Sequence, residues 1–572
     1  MQSGLSERPG VRYALTMLAH RTGLAVTAAG QTRLLPWSLA VDLLADPHLV
    51  VQTIAPGGLS AWDGERLFAA LAAGDAQALR LLTGGEPLTR FEMQNLPRYP
   101  RHWAHFIDIE ILVGDFSAAC CRAGLPLPNT DPLHDLALLA ELFRRNQGQL
   151  TVRERLLIDY PWLGASAWLS STGQLAENVV LEGLRREQVK RSPIPGHLQV
   201  HELLADSQRF AVQRGDVRAA SEAILNSTAR WDERGHLAVE GGANGRFVVG
   251  QAELTFGIGG MHSSDVPGVI EGPLVDLDVT SYYPSLIARD AISPPQLPEF
   301  SIRTQHLLRR RLAAKRAGDH LASTALKYVI NSLYGQLGNA RSGLFSPPDA
   351  LRVVLTGQLH LLQLIDSVLR ADCELISANT DGIVVRGDPA AAALAWEEST
   401  GLTLDRTYYR RLWRTSVNDY LALAPEGMIA KAKGRFGGGD EDDDSARRSA
   451  APIIARAVSE YLVHQRAIAS VIDACQEVSA FTLWRRANGL QWGGQDIATP
   501  VVRWIVVQKG MPLTQTTGQR QCTMVAAHAQ LVDNPGTFSL NELDRGWYIM
   551  AAQEVLDVVL GTSGGAKQLT WF

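Results

Sequence analysis

The sequence predicts a mixed α+β protein built from several domains. Its 572 residues are enough for roughly three to five folding units. Hydrophobic residues make up 46% of the chain and charged residues 20%, a balance that supports packed cores rather than disorder. Helical periodicity covers residues 63–78 and 133–145, whereas residues 274–286 begin with the alternation typical of a strand. Helices and strands are therefore both expected.

The composition argues against several classes of protein. No apolar run reaches the length of about 18 residues that a membrane-spanning helix needs, so no membrane partner is expected. The first residues, MQSGLSERPGVRY, contain no apolar stretch, and we expect a cytoplasmic protein rather than a secreted one. Five scattered cysteines fit neither a disulfide framework nor a zinc site. The net charge of -5 argues against a uniformly basic nucleic-acid binder but leaves local basic regions possible.

The first candidate site is the segment LVDLDVTSYYPSL at residues 274–286. On a strand, Asp276 and Asp278 lie on the same face because side chains alternate. Carboxylates at a strand end suit Mg²⁺, and the amides of the turn that follows suit phosphate oxygens. The alternative is a surface strand with two solvated acids.

The second candidate site lies on two helices predicted over residues 302–339. Seven basic residues and one acidic residue occur between residues 301 and 327, so this segment is strongly basic. Helical spacing places cations, an amide and an aromatic ring on shared faces of the two helices. These side chains are Arg311, Lys315, Lys327, Asn331 and Tyr334. They suit a polyphosphate, and the alternative is a solvated basic face.

The third candidate site is the turn from Asn379 to Gly382, between two strands predicted within residues 373–386. By itself this turn is an ordinary hairpin. Together with Asp278, however, Asp381 supplies a second carboxylate from a separate strand, and such a pair can hold two divalent ions about 4 Å apart. With the basic helices, the three segments predict in-line phosphoryl transfer from a triphosphate.

In this order, the three segments resemble motifs A, B and C of family B DNA polymerases, most closely those of bacteriophages. DVTSYYPS at 278–285 resembles motif A, KYVINSLYG at 327–335 resembles motif B, and ANTDG at 378–382 resembles motif C. In addition, GIGGMHS at 257–263 is similar to a glycine-rich segment that contacts template. KAKGRF at 431–436 is similar to the region that holds the primer terminus.

The resemblance covers the chain from about residue 250 onward and implies a right-hand polymerase with palm, fingers and thumb. It also implies that an N-terminal exonuclease-like (ribonuclease H-like) α/β domain precedes the polymerase. The expected domains are the degenerate exonuclease-like domain at 1–200, the first part of the palm with motif A at 201–300, the fingers helical hairpin with motif B at 301–343, the second part of the palm with motif C at 344–445, and the thumb at 446–572.

The resemblance implies roles for individual residues. Asp278 and Asp381 are the expected catalytic carboxylates. With the main chain of Val279, they are the expected ligands of two Mg²⁺ ions, for which Mn²⁺ can substitute. Tyr283 is expected to stack under the deoxyribose and exclude a 2′-hydroxyl. The other expected nucleotide contacts are Arg311, Lys315, Lys327, Asn331 and Tyr334, and the expected primer–template contacts are Gly259, Gly260, Lys431 and Lys433.

One residue departs from the family pattern, since Asn379 stands where motif C has its first aspartate. The amide keeps an oxygen ligand beside the metals but carries no negative charge. In the family the second aspartate does the essential work, and Asp381 is present. We therefore do not expect Asn379 to inactivate the enzyme.

The N-terminal third leaves two interpretations open. Asp108-x-Glu110 is similar to the first metal-binding motif of the 3′–5′ exonucleases that accompany these polymerases, and a strand would place both carboxylates on one face. In the alternative register, Asp63 and Asp135 are remnants of the second and third exonuclease motifs, and the first motif is absent. The short distance from Asp108 to motif A favours this second interpretation, a domain without proofreading.

The expected function is that of a DNA-dependent DNA polymerase in phage or mobile-element replication or repair, in a bacterial cytoplasm. Its expected partners are primer–template DNA, deoxynucleoside triphosphates and unidentified replication accessory proteins. No large insertion separates motif A from motif B, so protein priming is not expected. Two alternatives remain: an error-tolerant or primase-like polymerase, and a non-catalytic DNA-binding replication module.

Overall fold

The computed structural model contains helices and strands along most of the chain. It describes residues 13–20, 23–28, 31–36, 49–53, 67, 69–71, 73, 75–83, 105–129, 131–182, 184, 194–204, 206–437, 447–448, 450–517 and 520–562. The helices are α1 (Ala76–Thr83), α2 (Glu110–Val113), α3 (Phe116–Arg122), α4 (Pro132–Arg145), α5 (Gln147–Asp159), α6 (Thr172–Leu181), α7 (Val200–Leu203), α8 (Gly215–Leu225), α9 (Tyr282–Arg289), α10 (Phe300–Arg316), α11 (His320–Gly338), α12 (Pro347–Arg370), α13 (Ala390–Thr400), α14 (Pro452–His464), α15 (Ile468–Ala474) and α16 (Arg545–Leu560).

The strands fall into five sheets. They are β1 (Tyr13–His20), β2 (Gly23–Ala28), β3 (Gln31–Leu35), β4 (Leu49–Thr53), β5 (His105–Asp108), β6 (His197–Gln199), β7 (Thr228–Trp231), β8 (Leu237–Glu240), β9 (Arg246–Val249), β10 (Ala252–Gly257), β11 (Gly260–Ser263), β12 (Gly268–Val279), β13 (Glu374–Asn379), β14 (Gly382–Arg386), β15 (Leu404–Ser416), β16 (Asp419–Leu423), β17 (Ile429–Lys433), β18 (Arg447–Arg448), β19 (Leu483–Arg486), β20 (Leu490–Trp492), β21 (Gln495–Asp496), β22 (Val501–Thr517) and β23 (Arg520–Leu531).

The helix predicted over 133–145 is confirmed as α4. Its start follows from its sequence, because the Asp131 side chain accepts a hydrogen bond from the Leu133 N–H and Pro132 occupies the first turn. The stretch predicted as a helix over 63–78 lies partly outside the described residues, and the described helix α1 begins only at Ala76. Within the described part of the chain, no helix is both long and apolar enough to cross a membrane.

The N-terminal sheet has the strand order β3-β2-β1-β4-β5. Strands β1 to β3 form an antiparallel meander, whereas β4 runs parallel to β1 and β5 runs parallel to β4. Buried side chains of α4, such as Leu136 and Leu139, share a core with Ala25 of β2 and Ile109 beyond β5. This part of the chain is therefore a mixed sheet with helices packed against it.

The central sheet is fully antiparallel, in the order β13-β14-β12-β15-β16-β17. The strand predicted at the start of residues 274–286 forms the end of β12, and the hairpin predicted within 373–386 is β13 and β14. Helix α12 covers one face, where Leu359 and Leu362 share a core with Leu277 and Val385. Both predicted carboxylate segments thus lie on a helix-backed sheet.

Helices α10 and α11 form the helical hairpin predicted over 302–339. Asp319 starts α11 by accepting a hydrogen bond from the Ala322 N–H. The apolar side of α11 packs against α5 and α6 as well as against the central part of the protein. Leu333 of α11, for example, shares one core with Leu175 and Val179 of α6. A continuous core therefore crosses the expected domain boundary at residue 200.

The C-terminal part combines α14, α15 and α16 with a sheet of order β18-β19-β22-β20-β21, to which β23 adds on β22. Arg503 of β22 is 1% exposed and donates hydrogen bonds to the carbonyls of Cys120 (3.1 Å) and Leu125 (2.7 Å). A buried guanidinium thus joins this sheet to the end of α3.

Candidate active site

The two expected catalytic carboxylates come from neighbouring strands of the central sheet. In the antiparallel pair β12–β14, Asp278 lies opposite Gly382, and Asp381 is the turn residue just before it. The Val279 N–H donates a 2.8 Å hydrogen bond to the Asp381 carbonyl, which holds the turn against β12. A Cβ at Gly382 would lie 2.7 Å from the Leu277 carbonyl oxygen, so the close approach requires glycine there.

Both carboxylates line one open cleft on the face of this sheet. As strand alternation predicts, the side chains of Asp276 and Asp278 lie on the same face of the sheet, and both line the cleft. The residues that line the cleft are Asp276, Asp278, Ser377, Asn379, Asp381, Gly382, Ile383, Val384, Val417, Tyr420, Lys431 and Lys433. Acidic, amide and basic groups from distant parts of the sequence therefore meet in one place.

Asp278 lies in an unfavourable environment for a negative charge. Its partial burial, and next the negative charge of Asp381, raise the pKa of Asp278 to about 6. Lys431 acts in the opposite direction. Two carboxylates that repel each other in a cleft favour a bound cation.

Lys431 supplies a positive charge inside the cleft. Its Nζ lies 2.9 Å from Oδ2 of Asp276 and 3.6 Å from Oδ2 of Asp278. Burial by itself would lower the pKa of Lys431, but the negative charge of Asp276 raises it above its ordinary value. The side chain expected to meet primer phosphates is therefore held beside the carboxylates, while Lys433 lines the same cleft.

The helical hairpin reaches the turn between β12 and α9. Ser281 in that turn has left-handed backbone angles (φ 50°, ψ 49°), which a residue other than glycine seldom adopts. The Arg311 guanidinium donates a hydrogen bond to the Ser281 hydroxyl. The ring centroids of Tyr283 and Tyr334 lie 4.5 Å apart. The structure thus brings the motif A and motif B segments into contact.

The polar side chains of the hairpin differ in whether they already have a partner within the protein. Lys315, Lys327 and Asn331 are exposed, and in the described part of the chain neither lysine has a hydrogen-bond or ion-pair partner. By contrast, Arg303 donates to a carbonyl of α6 (2.6 Å) and Arg310 to a tyrosine hydroxyl after α5 (2.9 Å). Only part of the predicted basic cluster is therefore available to a phosphate.

The glycine-rich segment forms the hairpin β10–β11 and contacts motif C. Gly260 has φ +131°, and a Cβ there would lie 2.6 Å from Oγ1 of Thr380. Gln358 of α12 is buried, and its Nε2 donates to the carbonyls of Gly257 (2.8 Å) and Gly260 (2.9 Å). At Gly259 a Cβ would meet nothing within 4 Å.

Gly260→Ala is expected to destabilise the protein by about 1–3 kcal/mol, because the new methyl group displaces Thr380 beside Asp381. Thermal melting measures the loss. Gly259→Ala is the matched control, since its methyl group points into open space. Equal effects of the two substitutions would contradict this account of the contact.

A buried polar network, to which the motifs assign no role, lies against the strand that leads into motif C. Asp265 accepts hydrogen bonds from the hydroxyls of Ser263 (2.5 Å) and Ser377 (2.6 Å) and pairs with Arg414 at 2.8 Å. The Ser263 hydroxyl also accepts from the Ala378 N–H at 2.8 Å. The network connects the glycine-rich hairpin to β13, the strand that leads into motif C.

Asn379 shapes the motif C turn. Its Oδ1 accepts a 2.8 Å hydrogen bond from the Thr380 N–H, and its Nδ2 donates to Oδ1 of Asn418 at 3.4 Å. The oxygen that the sequence offers as a metal ligand is thus engaged by the main chain.

The structure corrects one premise of the exonuclease interpretation. Strand β5 ends at Asp108 and α2 begins at Glu110, so the two acids do not alternate along one strand. Moreover, β5 is an outer strand, and the central strand β1, YALTMLAH, carries no acid. Asp135 lies in the first turn of α4, where it accepts a hydrogen bond from the Asn129 N–H (2.8 Å). Asp63 lies outside the described residues.

Among the described residues, no group of three or more His, Cys, Asp or Glu side chains is arranged to hold a metal ion. The expected metal ligands differ from such a group, because they are two carboxylates, Asp278 and Asp381, with a main-chain oxygen. The two carboxylates line the cleft together with Asp276.

Comparison with known proteins gives a likeness to solved structures only. No protein-family model matches the sequence, and no curated protein matches it. Among solved structures, the chain is similar to the family B DNA polymerase from the hyperthermophilic archaeon Pyrobaculum calidifontis, with a TM-score of 0.43 and 13% sequence identity. The match covers 97% of this chain and 78% of the archaeal chain.

Proposed function

We propose that this chain is a template-directed, DNA-dependent DNA polymerase that adds deoxynucleotides to a primer 3′-hydroxyl. The observation that carries the proposal is that Asp278 and Asp381 line one cleft while Arg311 of the helical hairpin bonds to the motif A turn. Phosphoryl transfer needs little from a protein beyond such placed charges. The class of reaction is nucleotidyl transfer with release of pyrophosphate.

The donor atoms of the cleft fit divalent cations that prefer oxygen ligands. Asp278 and Asp381 would hold Mg²⁺ together with the main-chain carbonyl of Val279, and Mn²⁺ would serve in its place. The raised pKa of Asp278 reflects its partial burial and, next, repulsion by Asp381, and a bound cation would relieve that repulsion. When bound, the ions would activate the attacking hydroxyl and stabilise charge on the transferred phosphate.

The side chains around the carboxylates would position the substrates. The exposed cations Lys315 and Lys327, with Arg311, would bind the triphosphate and neutralise the departing pyrophosphate. The adjoining rings of Tyr283 and Tyr334 would support the sugar and the new base pair. The remaining contacts would come from Asn331 for the nucleotide and from Gly259, Gly260, Lys431 and Lys433 for the primer–template.

Primer extension tests the proposal. The purified chain is supplied with Mg²⁺ and with deoxynucleotides or ribonucleotides, and each mixture is run with and without a primer on the template. Primer-dependent incorporation of deoxynucleotides supports the proposed function. Ribonucleotide synthesis without a primer would favour the primase-like alternative, and DNA binding without incorporation would favour the non-catalytic module.

We further propose that the N-terminal domain lacks proofreading, because β1 carries no acid and Glu110 leaves the strand of Asp108. A labelled single strand incubated with Mg²⁺ or Mn²⁺ is therefore expected to keep its 3′ end. Asp108→Ala serves as the control for any shortening that is seen. Metal-dependent shortening that disappears in Asp108→Ala would overturn this proposal.

A further inference from the structure

Asp276 is a buried acid at the wall of the cleft for which the polymerase motifs give no role. Only 8% of its side chain is exposed. Its Oδ2 accepts a 2.6 Å hydrogen bond from the hydroxyl of Tyr409, itself buried, and lies 2.9 Å from the Lys431 ammonium. One oxygen atom of Asp276 thus holds two partners from two other strands, β15 and β17.

The contact with Asp276 fixes the position of the Lys431 ammonium in the cleft. The same ammonium is 3.6 Å from Oδ2 of Asp278, so it stands between the buried acid and the acid that opens into the cleft. Asp276 and Lys431 together carry no net charge. As a result, the charges of Asp278 and Asp381 are left for a cation in the cleft.

We propose that Asp276 is a positioning residue that holds Lys431 beside Asp278 and cancels its charge, so that this pair sets the affinity of Asp278 and Asp381 for a divalent cation. The proposal rests on the proposed function, since the cation is the one that the polymerase would use. Its test measures cation binding without DNA or nucleotide, so the two can fail separately.

The reasoning is electrostatic and gives opposite signs for the two partners. Without the Asp276 charge, Lys431 would be an uncompensated cation next to the site, and it would both repel a divalent ion and compete for Asp278. Without the Lys431 charge, Asp276 would add a negative charge to the site and attract the ion more strongly. Without both, the two changes should nearly cancel.

The experiment is a titration of the DNA-free chain with Mn²⁺, followed by electron paramagnetic resonance of the free ion. Asp276→Asn keeps the shape of the side chain and is expected to weaken Mn²⁺ binding roughly tenfold, whereas Lys431→Gln is expected to strengthen it roughly tenfold. The double substitution is expected to return to within about threefold of the unchanged chain. Glu374→Gln, which removes an acid paired with Arg386 away from the cleft, is the matched control and should change nothing.

Two results would overturn the proposal. If Asp276→Asn weakens binding equally with and without Lys431→Gln, Asp276 acts on the ion directly. If Lys431→Gln leaves binding unchanged or weaker, the lysine charge does not act on the site. Lys431 is partly exposed, so this variant decides the question even if Asp276→Asn fails to fold in a melting experiment.

Primer extension by the same variants separates the two proposals. Lys431→Gln is expected to bind Mn²⁺ more tightly yet extend primers more slowly, because Lys431 also contacts the primer in the proposed function. A chain that shows the predicted Mn²⁺ pattern without extending any primer would overturn the polymerase proposal and leave the role of Asp276 standing.

Discussion

Asp381→Ala is expected to abolish primer extension, with a fall in rate on the order of a thousandfold or more. The substitution removes one of the two carboxylates that line the cleft and keeps the turn backbone that is bonded to Val279. Single-turnover extension of a labelled primer in Mg²⁺ measures the loss. DNA binding should be retained, because the substitution leaves the exposed cations of the helical hairpin in place.

Glu398→Ala provides the control for Asp381→Ala, since Glu398 is an exposed acid on α13 outside the cleft. Its extension rate should match that of the unchanged chain. Near-normal extension by Asp381→Ala would show that the motif C assignment is wrong.

Tyr283→Ala is expected to raise the use of ribonucleotides relative to deoxynucleotides by roughly a hundredfold, the range that one pocket contact can supply. The half-buried ring of Tyr283 lies against Tyr334 on one side, and the backbone of α12 at Gly357 approaches it closely. It therefore has little freedom to move away from a 2′-hydroxyl. The ratio of incorporation efficiencies for matched dNTP and NTP measures the change.

Tyr283→Phe separates the ring from its hydroxyl, because it keeps the packing against Tyr334 and removes only the oxygen. Discrimination should survive in this variant. If Tyr283→Ala selects deoxynucleotides as well as the unchanged chain does, the ring does not form the sugar-binding surface.

Sequence patterns predicted the local elements of the candidate site well. The alternation before Asp278, the helical spacing around Lys327 and the turn at Asp381 each encode one element through its own periodicity or turn chemistry. The structure confirms β12, the helical hairpin and the hairpin β13–β14. In each of these elements, residues that are close in the sequence determine the type of secondary structure.

Contacts between distant residues could not be predicted in this way. Lys431 and Asp276 are 155 residues apart, and the buried network of Asp265 and Arg414 joins segments that no motif connects. Likewise, the sequence predicted that Asp108 and Glu110 lie on one face of a strand, whereas the strand ends at Asp108 and a helix begins at Glu110. Pairing across a sheet and the end of a short strand depend on the rest of the fold.

The buried Arg503 limits where the chain can be cut. Its acceptors, the carbonyls of Cys120 and Leu125, belong to the N-terminal third, although the arginine lies near the opposite end of the sequence. A fragment trimmed of residues 1–200 would lose these acceptors and also the side chains of Ala118, Cys121 and Leu127, which share a core with Trp484 and Val501. Apolar surface of the C-terminal sheet would then be exposed to water. The N-terminal third therefore stabilises the C-terminal sheet through these contacts, and this structural role is independent of any exonuclease activity.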